Sequence, residues 1–392
     1  MKFSIPTNWD DRLVERINKE RVGEFYGKLY SDSVGGGRAS FLCSPVDRKK
    51  AVRHIRIIRG AGIRFNYLLN AACLGNKEFT TSWHRQLRKL LGWLADNGVD
   101  TVTVAVPFLL DLVKSFHPEM RVSVSAFAHI NTVRKALFWE SRGADEITPS
   151  PTELNRDFKT LQEMRKRLSC GLKLIVNNNC LLDCPLHFYH SAISAHASRK
   201  EEPAEGFMID YCRVQCRYLR LIDPENFLKA DWIRPEDTAL YERIGVHSFK
   251  IVDRVLSTEA ILMISSAYFA QRHDGNLLEL FPMTKDIVVF QHHKAARFLK
   301  YFFRPGLINP LKLLSLRKLI KPIDVFIDNR ALDGFIERVK DRCSPGDFCR
   351  GCACCAETAE KAVRVSSRGL KEAVDSYKVF LQKISGGDLW EI

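Results

Sequence analysis

Along the first two-thirds of the chain, short β-branched and aromatic runs alternate with longer segments of helical period. Lys2–Pro6 (KFSIP) predicts the first strand. Residues 65–70 (FNYLLN), 101–106 (TVTVAV), 121–127 (RVSVSAF), 146–150 (EITPS), 172–177 (LKLIVN), 231–235 (DWIRP) and 248–252 (SFKIV) bring the total to eight. Amphipathic segments lie between them, at 47–62, 83–98 and 131–143 among others, and Gly98 stands where a helix C-cap belongs. Several strands are continuous apolar runs, the pattern of a sheet buried on both faces. Regular βα alternation over about 250 residues predicts a parallel sheet closed as a TIM-like (β/α)8 barrel. An open doubly wound sheet is the competitor. No GxGxxG follows a strand to support it, and the triple glycine at 35–37 falls in a loop.

The pattern changes near residue 275. Residues 1–275 form the expected barrel, and 276–392 a mainly helical, cysteine-rich C-terminal extension. Residues 287–323 contain no Asp or Glu and eight Lys or Arg: Lys294, Arg297, Lys300, Arg304, Lys312, Arg317, Lys318 and Lys321. Aromatic and leucine residues lie between them. Such a stretch could be a packed helix pair with a basic face, a peripheral contact with an anionic membrane, or a phosphate-binding surface. The apolar residues are dense and the basic ones scattered. A lipid-like ligand or a membrane surface is therefore favoured over RNA.

Composition sharpens this. The 392 residues carry 60 Lys+Arg against 46 Asp+Glu, a net charge of +14, and 46% are hydrophobic, as in a folded globular chain. Residues 1–12 have no apolar core of signal-peptide length, and no uncharged apolar run reaches membrane-spanning length. The expected location is the cytoplasm, where clustered cysteines more often bind metal than form disulfides.

The 12 cysteines fall into groups. Cys43, Cys73 and Cys170 stand alone. Cys180 and Cys184 are spaced C-x3-C, as are Cys212 and Cys216. A four-residue step places two side chains on one face of a helical turn. Two such pairs supply the four thiolates of a [4Fe–4S] cluster or of a structural zinc site. Spacing alone leaves both open, as it does a group of reduced core cysteines. Cys180 leaves the C-terminal end of a predicted strand, the rim where barrels of this kind carry their chemistry. Nearby candidates are Asn177 and Asn179 for cofactor binding, and His187 and His190 for proton transfer, with His196 beyond. Arg234 and Glu236 leave the seventh predicted strand, the run 231–235. Lys250 and Arg254 would suit an anionic ligand, or would simply pair with Asp237, Asp253 or Glu259. Cys343, Cys349, Cys352, Cys354 and Cys355 form the second group. The Cys349-x2-Cys352 step, with Cys354 or Cys355, could complete a second iron–sulfur or zinc centre, or a zinc site that only folds the tail.

The runs NNNCLLDCP and YCRVQC, and the segment WIRPEDTALYERIGVHSFKIVDR, resemble the collagenase-like U32 peptidase family over about residues 1–260. A family pattern of the form GV-x-S-x-K-I-x-x-R is matched by Gly245, Val246, Ser248, Lys250, Ile251 and Arg254. Asp253 stands where that pattern usually has Gly. The resemblance implies a TIM-like barrel and a [4Fe–4S] cluster held by Cys180, Cys184, Cys212 and Cys216. It also implies oxygen-independent hydroxylation of a quinone precursor or of a tRNA or rRNA base, with prephenate as oxygen source. The family's name implies peptidase activity instead. No HExxH and no GxSxG is present, and a cysteine peptidase would need one activated Cys, such as Cys180 beside His187 or His190, rather than four. The expectation is a hydroxylase acting on an isoprenoid or quinone-like small molecule, or a subunit of one working with a partner of the same family. RNA base hydroxylation, a peptidase and a non-catalytic zinc-stabilised adaptor are the alternatives.

Overall fold

The computed structural model describes residues 1–199, 206–282, 309, 311–313, 323–340 and 352–391. Eight parallel strands close into a barrel: β1 (Lys2–Pro6), β2 (Val22–Gly27), β3 (Arg64–Leu69), β4 (Thr101–Val104), β5 (Arg121–Val124), β6 (Glu146–Ile147), β7 (Gly171–Ile175) and β8 (Ser248–Lys250). β8 pairs with β7 on one side and with β1 on the other, Lys2 opposite Ser248. The fold is thus the expected TIM-like barrel, and the total of eight strands is right, but one member differs. Residues 22–27 supply β2, which the apolar pattern did not predict. Residues 231–235 are extended without joining the ladder, because β8 occupies the place beside β7.

The helices follow local chemistry. The helix Thr81–Asp96 starts where Thr80 Oγ1 accepts the Trp83 N–H, and its buried face is Trp83, Leu87, Leu90, Leu91 and Leu94. It ends at Gly98, whose φ of 76° suits a residue without Cβ and whose N–H bonds the Ala95 carbonyl at 3.1 Å. Outward strand residues such as Phe3, Phe25, Val102 and Leu174 pack against the helices in one continuous core.

The inward face is different. Strand pleating sends alternate residues to the interior, and in the lower layer they are polar from every strand. Glu24 Oε1 accepts from Ser4 Oγ at 2.6 Å, Asn66 Nδ2 at 3.1 Å and Lys173 Nζ at 2.6 Å. Asn66 Oδ1 accepts from Thr103 Oγ1 at 2.8 Å. Lys173 Nζ also meets Glu146 Oε2 at 2.5 Å, and Glu146 accepts from Ser123 and Ser248. One side chain from each strand enters this network.

The C-terminal extension shares the barrel's core. β9 (Val325–Ile327) and β10 (Val363–Val365) form an antiparallel pair. Phe335, Ile336, Cys354 and Cys355 join the same cluster as the barrel, and the Phe335 ring lies tilted against Trp232 with centroids 5.9 Å apart. A second cluster joins Tyr377 and Phe380 of the helix Leu370–Ser385 to Val214 and Leu221 of the helix Tyr211–Ile222. Among the described residues no helix is long and apolar enough to cross a membrane. The basic stretch lies outside the described residues except for 309, 311–313 and 323, as do Cys343 and Cys349.

Replacing Lys173 with Met leaves Glu24 and Glu146 buried without their cation. Breaking one partner of a buried ion pair costs about 3–5 kcal/mol, so Lys173→Met should lower the denaturant midpoint by the corresponding amount. A midpoint within error of wild type would show that the interior charges are not energetically coupled.

A cysteine-lined chamber beside the barrel mouth

The C-terminal ends of the strands open into a cavity of about 160 Å³. Its floor is the upper inward layer: Tyr26 of β2, Leu68 of β3, Ile175 of β7 and Lys250 of β8, with Ser125 and Thr148 just past β5 and β6. A second cavity of about 150 Å³ adjoins it and is lined by Cys180, Cys184, Cys212 and Cys216. Arg38, Asn178, Cys180, His190 and Ser194 line both. The two cysteine pairs thus come together next to the barrel mouth.

The pairs are built differently. Cys212 and Cys216 sit one turn apart on the helix Tyr211–Ile222, which begins where Asp210 accepts the Arg213 N–H. Cys180 and Cys184 instead bracket a turn through Asp183, whose φ is 47°. The buried Asp231 holds that turn: it accepts the Cys180 N–H at 2.8 Å and Asn178 Nδ2 at 2.7 Å. Burial raises the Asp231 carboxyl to about 6. Arg220, one further helical turn from Cys216, donates to the Cys216 sulfur and to the Asn179 carbonyl.

Burial, reinforced by the neighbouring sulfurs, pushes the Cys180, Cys184 and Cys212 thiols up, Cys212 to about 12. Among the described residues no three His, Cys, Asp or Glu side chains are already grouped as a metal-binding set. The donor chemistry, four thiols around one chamber, nonetheless fits a thiolate-held centre, whose positive charge would offset the burial that disfavours the thiolates of Cys180, Cys184 and Cys212.

The remaining candidates divide. His187 and His190 line the barrel mouth. Burial and the nearby His129 lower His187 to about 4, so it is neutral, and its Nδ1 is 3.3 Å from Thr152 Oγ1. His190 Nε2 is 3.2 Å from Asp210. Asn179 lines the cysteine chamber.

Asn177 lines neither cavity. Its amide is consumed in tying the end of β7 to Val252 and Leu280, and it is fully buried. Arg234 is also displaced from the site: it pairs with Asp237 and Asp333 and donates to the Asn329 carbonyl, anchoring the extension. Glu236 accepts from His273 and Asn329 in the same region. Arg234 lies in, and Glu236 just after, a segment that is not a barrel strand, which is why they do not reach the mouth. Cys354 and Cys355 pack among core side chains at the start of the helix Cys354–Ala362, and Cys352 lies at the edge of that core.

Three residues that the spacing arguments passed over complete the site. Arg38 lines both cavities and is ion-paired with Asp253, the residue that departs from the family pattern. Tyr26 lies beneath Lys250, with Nζ 4.1 Å from the ring centroid, and donates to the Ile251 carbonyl.

Fold and site together define a (β/α)8-barrel protein with a sulfur-lined chamber beside its mouth. Residues 53–275 match the model of peptidase family U32. The uncharacterized protease MJ1657 of Methanocaldococcus jannaschii is 31% identical over 354 residues, 90% of this chain and 92% of that one. The solved U32 peptidase Mk0906 aligns at 22% identity with a TM-score of 0.48, covering 64% of this chain and 93% of that chain. The chain belongs to peptidase family U32.

Burial and the nearby Lys173 lower Lys250 to about 7, with Glu24 and Glu146 opposing and Arg254 assisting. A lowered amine is nucleophilic at neutral pH because its uncharged form is populated there. Cyanate should therefore carbamoylate Lys250 ahead of surface lysines, with a rate midpoint about 7. Peptide mapping that finds Lys250 no faster than exposed Lys49 would contradict the shift.

Proposed function

We propose that this chain carries a [4Fe–4S] centre in the cysteine chamber and supports oxygen-independent hydroxylation of an isoprenoid or quinone-like small molecule held in the barrel mouth. The observation that carries this reading is the meeting of two C-x3-C pairs in one chamber that shares a wall with the mouth. Cys180, Cys184, Cys212 and Cys216 would hold the centre, which when bound would supply one-electron transfer.

The chain's own residues have the remaining tasks. Asp231 fixes the main chain at Cys180, and Arg220 donates to the Cys216 sulfur. Leu42, Leu181, Leu186 and Met208 give the chamber apolar walls. Leu68, Phe127 and Ile175 offer apolar walls to a ring or prenyl chain, while Arg254 receives a negative group. His187, kept neutral, is available as a hydrogen-bonding group rather than a charge.

Peptidase chemistry is less well served. Ser191 Oγ donates to the Phe188 carbonyl at 2.8 Å and lies 3.3 Å from His129 Nε2. Among the described residues His129 Nδ1 has no partner, so no acid orients that ring as a nucleophile's base requires. Burial also raises the Cys180 thiol, the opposite of the lowered value of a catalytic thiolate.

Protein purified without oxygen should contain about four iron and four acid-labile sulfide per chain and absorb broadly in the visible. Cys184→Ser and Cys212→Ser should each lose most of this, and Cys354→Ser should retain it. Stoichiometric zinc with no iron would replace this reading with a structural zinc site.

A further inference from the structure

Two lysines project into the barrel, one in each inward layer. Lys173 is clamped between Glu24 and Glu146. Lys250 lines the barrel mouth, and among the described residues no hydrogen bond or ion pair holds its Nζ. It meets the face of Tyr26 instead. Arg254 lines the same cavity and is 8% exposed. Among the described residues its guanidinium likewise has no hydrogen bond or ion pair, whereas the neighbouring Arg38 is taken up by Asp253.

A buried cation without a counterion is costly, and such groups are retained where a ligand supplies the missing charge. A guanidinium fork matches a carboxylate or a phosphate. An amine desolvated beside other cations is the form of lysine that attacks carbonyl groups. Here burial and Lys173 act together to favour the uncharged amine of Lys250. The cavity of about 160 Å³ admits a molecule of a few carbon atoms at this end.

We propose that the barrel mouth binds a small carbonyl compound bearing a carboxylate or phosphate, with Arg254 holding the anion and Lys250 condensing with the carbonyl to form an imine. The Lys250 nitrogen lone pair forms the C–N bond while the carbonyl π pair moves to oxygen. A proton passes from nitrogen to that oxygen, giving a carbinolamine. The C–O bond then breaks, the oxygen departs as water with the second amine proton, and the nitrogen lone pair closes the C=N bond. Nothing is oxidised or reduced. The proposal stands apart from the iron–sulfur reading, because imine formation needs neither iron nor sulfide.

The test is reductive trapping on the full chain. Protein is incubated near neutral pH with sodium cyanoborohydride and pyruvate, dihydroxyacetone phosphate or neutral acetone, then digested and mapped by mass. The expected result is a saturable reduced adduct at Lys250 with pyruvate or dihydroxyacetone phosphate. The one that saturates at the lower concentration identifies the preferred anion. Acetone should react at least about tenfold more slowly, the smallest effect expected from losing a charge-assisted contact. Arg254→Gln should bring the anionic probe down to the acetone rate, and Lys250→Arg should abolish the adduct while melting like wild type. Absence of a Lys250 adduct with both anionic probes in the wild-type protein would overturn the proposal. So would trapping by the anionic probe that is undiminished in Arg254→Gln. Either result would leave the iron and sulfide content of the same preparation unchanged.

Discussion

The Lys173 ammonium held between Glu24 and Glu146 is the constraint around which the barrel is organised. Charges taken from water are tolerated only when paired and hydrogen-bonded, and here every strand contributes a polar side chain to that end. The network fixes the inward register, since a slip of one residue would send Glu24 or Lys173 into the outer apolar core. It also sets the chemistry above. Lys250 lies one pleat higher on β8 than Ser248, which bonds Glu146. Two carboxylates in the lower layer attract the Lys250 ammonium, but the repulsion from Lys173 outweighs either of them, and burial exceeds both effects. The lower layer therefore stabilises the fold and, in doing so, withholds a counterion from the upper one.

A second frame, of uncharged and acidic groups, holds the end of β7. Asn177 binds the main chain at Val252 on both its N–H and C=O sides, and Asp231 binds the main chain at Cys180. These contacts stitch the turn carrying the first cysteine pair to the segments after β8 and before the helix Thr238–Arg243. The second pair comes on a helix that the C-terminal helix Leu370–Ser385 packs against. The extension thus belongs to the architecture of the chamber, since it backs the helix that presents Cys212 and Cys216.

Much of this was legible in the chain. Continuous apolar runs at βα spacing predicted a closed parallel barrel, and the cysteines of the two C-x3-C pairs do line one cavity beside its mouth. β2 escaped because its run VGEFYG contains two glycines and a glutamate, residues depleted in strands. Gly27 is required there, because a Cβ would come within 2.7 Å of Thr7 Cγ2, and Glu24 is the acid of the interior network. No rule of apolar patterning anticipates a barrel lined with ion pairs. The run 231–235 misled for the opposite reason: Trp232 and Ile233 are buried, and the Ile233 N–H bonds the Val176 carbonyl at 2.8 Å, so it has the composition of a strand without a ladder position. Arg220 was not read from the sequence, although it repeats the four-residue step from Cys216 along one helix face. Nor was the pairing of Arg38 and Asp253. They meet across 215 residues of sequence, and only closure of the barrel brings them together.

That last pair joins the two halves of the site. Arg38 lines the cysteine chamber and the barrel mouth, and its positive charge is committed to Asp253, itself buried and held ionised against burial by the guanidinium. Where the family pattern has glycine, this chain therefore places a carboxylate that fixes a cation in the wall between two cavities. Because Arg38 is occupied, it does not serve as a free anchor for a ligand in the mouth, and that role falls to Arg254, the next residue along the chain from the carboxylate. The wall common to the cysteine chamber and the mouth thus holds one guanidinium whose position is set by one aspartate.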